Sequence, residues 1–100
     1  MSDGPVIEGL ADYRALIDDL DAQVLGAMAS RFETVEAIGR LKREAGVAVF
    51  QPQRRQRVMD RYRELGASLG LSEEFTERLA LLVLEEAHRL EDRVVAEGSR

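Results

Sequence analysis

The sequence predicts an all-α protein, and three observations carry that expectation. Apolar residues recur at three- and four-residue intervals through most of the 100 positions, the period of one helix face. No proline falls between Pro5 and Pro52, so nothing interrupts a helix there. No stretch shows the apolar–polar alternation of a half-buried strand.

The first helix is expected over about residues 8–45. Leu10, Tyr13, Ile17, Leu20, Val24, Met28, Val35 and Ile38 form its apolar stripe. Gly26 and Gly39 weaken it by roughly 1 kcal/mol each relative to alanine. Gly46 is its stop. After a loop over 47–51, Pro52 suits the first turn of a second helix, expected over about 52–69. Val58, Tyr62, Leu65 and Leu69 make its apolar face, and Gly70 ends it. Ser72 is a good N-cap, and Glu73 and Glu74 complement the dipole of a third helix over about 72–95. Phe75, Leu79, Leu82, Val83, Glu86 and Leu90 carry that helix forward, and residues 97–100 read as a frayed tail.

A first helix of 38 residues would be ~57 Å long at 1.5 Å per residue. A compact 100-residue chain is only about 33 Å across. The helix must therefore project beyond its own globule, and its stripe runs nearly end to end. A second copy covering the projection is the simplest answer. The expectation is one domain over 1–100, three helices with a very long first one, paired as an intertwined homodimer.

Composition bounds the chemistry. The chain is 45% hydrophobic and 33% charged, a folded and not a disordered composition. No apolar run approaches the ~20 residues of a membrane span, and the first ten residues lack a leader's basic segment. With no cysteine there is no disulfide framework and no thiol nucleophile. A cytoplasmic location is the expectation. The net charge of −5 argues against a nucleic-acid partner. Yet Arg40 to Arg63 holds eight basic residues against Glu44 and Asp60, a local field suited to a small anion.

Three cations sit where packing alone would not put them. Arg31 and Lys42 share a face with Val24, Val35 and Ile38, and Arg54 opens the second helix on its apolar side. Eleven residues advance a helix by three turns plus 20°, so Arg31 and Lys42 are nearly aligned, with ~16 Å between backbones. An arginine fork and a lysine ammonium converging there would suit a small, multiply anionic ligand. The alternative is that these cations snorkel outward or pair with Glu33, Glu36 or Glu86. Arg14 lies ~100° from the Arg31 direction on a straight helix. It can serve that site only from a second copy, or else pairs with Asp18 on the surface. His88 is the sole histidine, so zinc binding is not expected, and no nucleophilic triad, phosphate loop or cofactor motif is present. Glu85 and Glu86 read as solvated or salt-bridged. Glu91 lies at the margin of the third helix's apolar stripe, where it can turn inward.

The run Tyr13-Arg14-Ala15-Leu16-Ile17-Asp18-Asp19-Leu20-Asp21 resembles the opening of the AroQ-class chorismate mutases. So do Arg31, the segment Ala37-Ile38-Gly39-Arg40-Leu41-Lys42, and the run Val49-Phe50-Gln51-Pro52-Gln53-Arg54. The likeness is collinear over residues 10–92, and the ordered spacing Arg14, Arg31, Lys42, Arg54 is its most specific part. The resemblance implies a three-helix chain in an intertwined dimer, without a cofactor. It implies rearrangement of chorismate, a dicarboxylate, to prephenate. Arg14 of the second copy and Arg31 would each clamp a carboxylate, Lys42 would hold the ether oxygen and a carboxylate, and Arg54 would line the pocket. The resemblance also allows an activating partner enzyme.

Four positions depart from the family pattern. Arg55 stands where Glu contacts the ring hydroxyl, and Gln51 stands where Asp is common. Ala87 stands where a small hydroxyl residue helps hold the ring carboxylate. Glu91 stands where Gln donates to the ether oxygen; an ionised Glu91 would repel that oxygen, and a protonated one could donate to it. These departures leave other readings open: a mutase for 4-amino-4-deoxychorismate in antibiotic-precursor synthesis, a lyase acting on isochorismate, or a non-catalytic helical dimer.

Overall fold

A left-handed residue sets where the first helix begins. Gly9 has φ +82°, and the turn it makes is closed by the Leu10 N–H donating to the Ile7 carbonyl at 3.1 Å. The helix α1 therefore spans Leu10–Ala45, two residues later than the pattern suggests. It is followed by α2, Pro52–Ser68, and α3, Glu73–Glu97. The computed structural model describes residues 7–98, among which there is no strand. The expectations for the extreme N-terminus and for the last two residues lie outside them, while Glu97, expected in the tail, closes α3.

The helix ends are written in the sequence. Gly46 has φ +68° and Gly70 has φ +77°, conformations that only glycine adopts without strain. At each, two backbone bonds turn the chain out of the helix. The Gly46 N–H donates to the Arg43 carbonyl at 3.3 Å and the Val47 N–H to the Lys42 carbonyl at 2.9 Å. The Gly70 N–H donates to Ala67 at 3.2 Å and the Leu71 N–H to Gly66 at 2.9 Å. Gln51 is extended before Pro52, which opens α2. The Ser72 hydroxyl accepts the Phe75 N–H at 3.1 Å, the cap expected for α3.

Burial is concentrated from Phe32 onward. Phe32 and Val35 of α1 pack with Ala87 and Leu90 of α3. Val58 of α2 and Thr76, Ala80, Val83 and Val94 of α3 are also buried. Two glycines allow close helix approach. A β-carbon at Gly39 would sit 3.4 Å from the Glu91 Cα, at the limit of ordinary contact. One at Gly66 would lie 3.0 Å from the Thr76 Cβ and closer still to its Cγ2.

The chain divides within α1 into two compact units, one up to Arg31 and one from Phe32 on. In the first, the apolar stripe is bare: Tyr13 is 70% exposed, and Leu16, Ile17, Leu20 and Val24 are each about half exposed.

Candidate active site

Lys42 is the pivot of the second unit. It occupies the last turn of α1, where a cation complements the helix dipole. Its backbone carbonyl accepts the Val47 N–H, which aims the loop back past its own side chain. Its Nζ donates to the Val49 carbonyl at 3.0 Å and to Glu91 Oε1 at 3.0 Å. The two side chains are only 18% and 11% exposed. Glu91 reaches this position because Gly39, one turn before Lys42, has no side chain to hold α3 away. An ammonium has three donors. Two are used among the described residues.

Two further bonds fix the end of α1 on α3. The Arg43 Nη1 donates to the Val94 carbonyl at 3.0 Å, and Arg93 Nη2 pairs with Glu36 Oε1 at 3.2 Å. Together they hold Lys42 in register with Glu91, and little side-chain entropy then remains to be lost on ligand binding.

The loop supplies a second wall. Phe50, Gln51, Pro52, Gln53, Arg54 and Arg57 line an open hollow at the start of α2. Gln51 Nε2 donates to the Ala48 carbonyl at 3.4 Å. The Phe50 ring meets the His88 ring edge-on, with centroids 6.1 Å apart and planes at 64°. His88 Nε2 in turn lies 3.0 Å from Asp92 Oδ2.

Two of the acidic groups that could have neutralised the arginines are engaged elsewhere. Glu36 pairs with Arg93. Glu86 accepts two bonds from Arg89, at 2.6 and 2.8 Å, and that hydrogen bonding holds its carboxyl below the ordinary range despite some desolvation. Arg14, Arg31, Arg54 and Arg55 have no ion-pair partner among the described residues. Arg14 and Arg31 belong to the first unit, Arg14 exposed and Arg31 half-buried. In the second unit Arg54 and Gln51 are exposed at the hollow, and Arg55 is half-buried. Ala87 is buried with Val35 and Leu90 in the core.

Sequence reasoning missed the Val49 carbonyl, because a backbone acceptor leaves no trace in residue type. It also read Gly39 only as a weakness of the helix. A small residue one turn before a candidate catalytic lysine was the available signal.

The described residues are thus all-α around a half-buried lysine, with several arginines that have no ion-pair partner among them. Residues 13–92 match the chorismate mutase type II family, and the chain belongs to that family. It is 35% identical over 90 residues to a 4-amino-4-deoxychorismate mutase of Streptomyces venezuelae, covering 90% of this chain and 87% of that one. It is 25% identical over 92 residues to a chorismate mutase of Methanocaldococcus jannaschii, covering 92% and 93%. A T-protein of Haemophilus influenzae is 26% identical over 87 residues, 87% of this chain but only 23% of that much longer protein.

Proposed function

We propose that the protein is a chorismate mutase-type isomerase that rearranges a chorismate-like dicarboxylate by electrostatic clamping. The observation that carries this reading is Lys42, held by Val49 and Glu91 inside the segment that matches the family. In the reaction the ether C–O bond breaks as a C–C bond forms, and no proton is transferred. The catalyst must hold the folded conformer and stabilise negative charge growing on the ether oxygen. Lys42 presents its remaining donor to that oxygen and to a carboxylate. Arg31 clamps a carboxylate, Arg14 of a second copy clamps the other, and Arg54 adds positive field at the mouth. Preorganised donors of this kind favour charge that appears only in the transition state.

Glu91 has two opposed effects. Its carboxylate orients the Lys42 ammonium, and its charge opposes the dianionic ligand. An amide keeps the first and removes the second. Glu91→Gln is expected to raise kcat/KM for chorismate at neutral pH, measured by loss of chorismate absorbance. Arg31→Ala and Lys42→Ala are each expected to lower kcat by roughly 10²- to 10³-fold, the cost of removing one oxyanion donor.

The direct test mixes the purified protein with chorismate and follows its ultraviolet absorbance. No acceleration between pH 5 and 8, with chorismate or its 4-amino analogue, sinks the reading. The 35% identity to the Streptomyces venezuelae protein favours the amino analogue as a second substrate reading. Competition between the two compounds, read by product identity, separates them.

A further inference from the structure

We propose that His88 is a positioning residue: it latches the loop over 46–51 onto α3 and thereby sets the backbone acceptor that holds Lys42. Its kinetic arm rests on the isomerase reading above; its structural arm does not.

The loop is tied firmly at both ends and loosely in the middle. At the start, Gly46 and Val47 donate to Arg43 and Lys42. At the end, the Gln51 carbonyl accepts the Arg55 N–H at 3.1 Å within the first turn of α2. Between them the bonds are the long Gln51–Ala48 contact and the one from the Lys42 ammonium to Val49. That ammonium must also face a ligand, so it is a poor sole anchor for the loop. A further anchor is the ring contact of Phe50, the residue after Val49, with His88.

His88 is built for this contact. It stands three residues before Glu91, so the two share a face of α3. Asp92, four residues on, lies beside the ring, with its Oδ2 3.0 Å from the His88 Nε2. Neighbouring side chains of α3 thus hold neighbouring residues of the loop: Glu91 holds Val49 through Lys42, and His88 holds Phe50 directly. An edge-to-face pair is stabilising beyond the area it buries. Phe50 and Gln51 also line the hollow beside Arg54, so the same latch shapes that wall.

A latch of this kind raises the fraction of ligand-free protein whose loop is already in place. Its loss lowers apparent affinity by that fraction and leaves the bound complex unchanged. His88→Ala is therefore expected to raise KM about two- to tenfold with kcat unchanged. His88→Phe keeps an aromatic edge and restores part of the loss. Phe50→Ala raises KM as His88→Ala does, and the double variant adds nothing further. Without ligand, ¹⁵N order parameters of residues 48–51 fall in His88→Ala, and the Phe50 ring-proton shifts move, while α2 and α3 keep theirs. Unchanged order parameters, or a fall in kcat with KM unmoved, overturns the proposal. If the wild-type protein turns over neither substrate, the order parameters decide alone: a loosened loop upholds the latch while the isomerase reading falls.

Discussion

Lys42 makes its two bonds to unlike partners, a neutral carbonyl and a carboxylate, and the second is what links it to stability. Glu91 is buried, and its carboxylate is tolerable there because the ammonium meets it. Lys42→Met keeps the stem and removes the charge, leaving that carboxylate alone. The expected cost lies at the low end of the roughly 3–5 kcal/mol for breaking a buried pair, because both side chains keep some solvent contact. Thermal melting measures it. Adding Glu91→Gln to Lys42→Met should return most of the loss, since an amide needs no counter-charge. A double variant no more stable than Lys42→Met would show that the lost bond to the Val49 carbonyl, not the stranded charge, is responsible. Both members of this pair stood out in the sequence, Lys42 as a cation on an apolar face and Glu91 at a stripe margin. Their partnership did not, because 49 residues separate them and no local spacing rule spans that distance.

At the scale of the helix, three glycines within helices have three different environments. Nothing lies within 4 Å of a β-carbon built at Gly26, whereas at Gly66 it would press into Thr76, itself only 3% exposed. Propensity alone ranks alanine above glycine at both. Gly26→Ala is expected to stabilise by up to about 1 kcal/mol. Gly66→Ala is expected to destabilise, because the buried threonine has no room to withdraw. Equal shifts of melting temperature in the two variants would contradict the packing argument. Helix identity was legible from the 3.6-residue period, and the stops from Gly46 and Gly70. The start of α1 was not, because the pattern does not reveal that Gly9 takes a positive φ. Nor was the role of Gly39, whose meaning comes from the helix opposite it and not from its own.

For the whole molecule, a bare apolar stripe on Tyr13, Leu16, Ile17, Leu20 and Val24 demands a cover. We propose a second copy of the chain, the arrangement that also brings Arg14 to a neighbouring site. Sedimentation equilibrium is expected to give twice 11.2 kDa at micromolar concentration. Ile17→Glu with Leu20→Glu, both on that stripe, should shift the mass toward one chain and abolish turnover with it. A native mass of 11.2 kDa for the unaltered protein rules the arrangement out. The length of the first helix was readable from its unbroken period. What covers its exposed first half was not readable in the same way, because the residues of one chain imply a partner only through unsatisfied surface.

One residue governs the path between the first two helices twice over. The Lys42 carbonyl accepts the Val47 N–H and its ammonium donates to the Val49 carbonyl, so the same side chain and backbone unit measure the chain at two successive points. Surface connections ordinarily tolerate added or lost residues. This one is gauged, like a belt with fixed holes: one residue more or fewer between Gly46 and Pro52 would present a different carbonyl, or none, to the ammonium. Its length is thereby tied to the chemistry, and variation along this chain should gather in the turn at Gly70 instead, where no side chain of the candidate site reaches across.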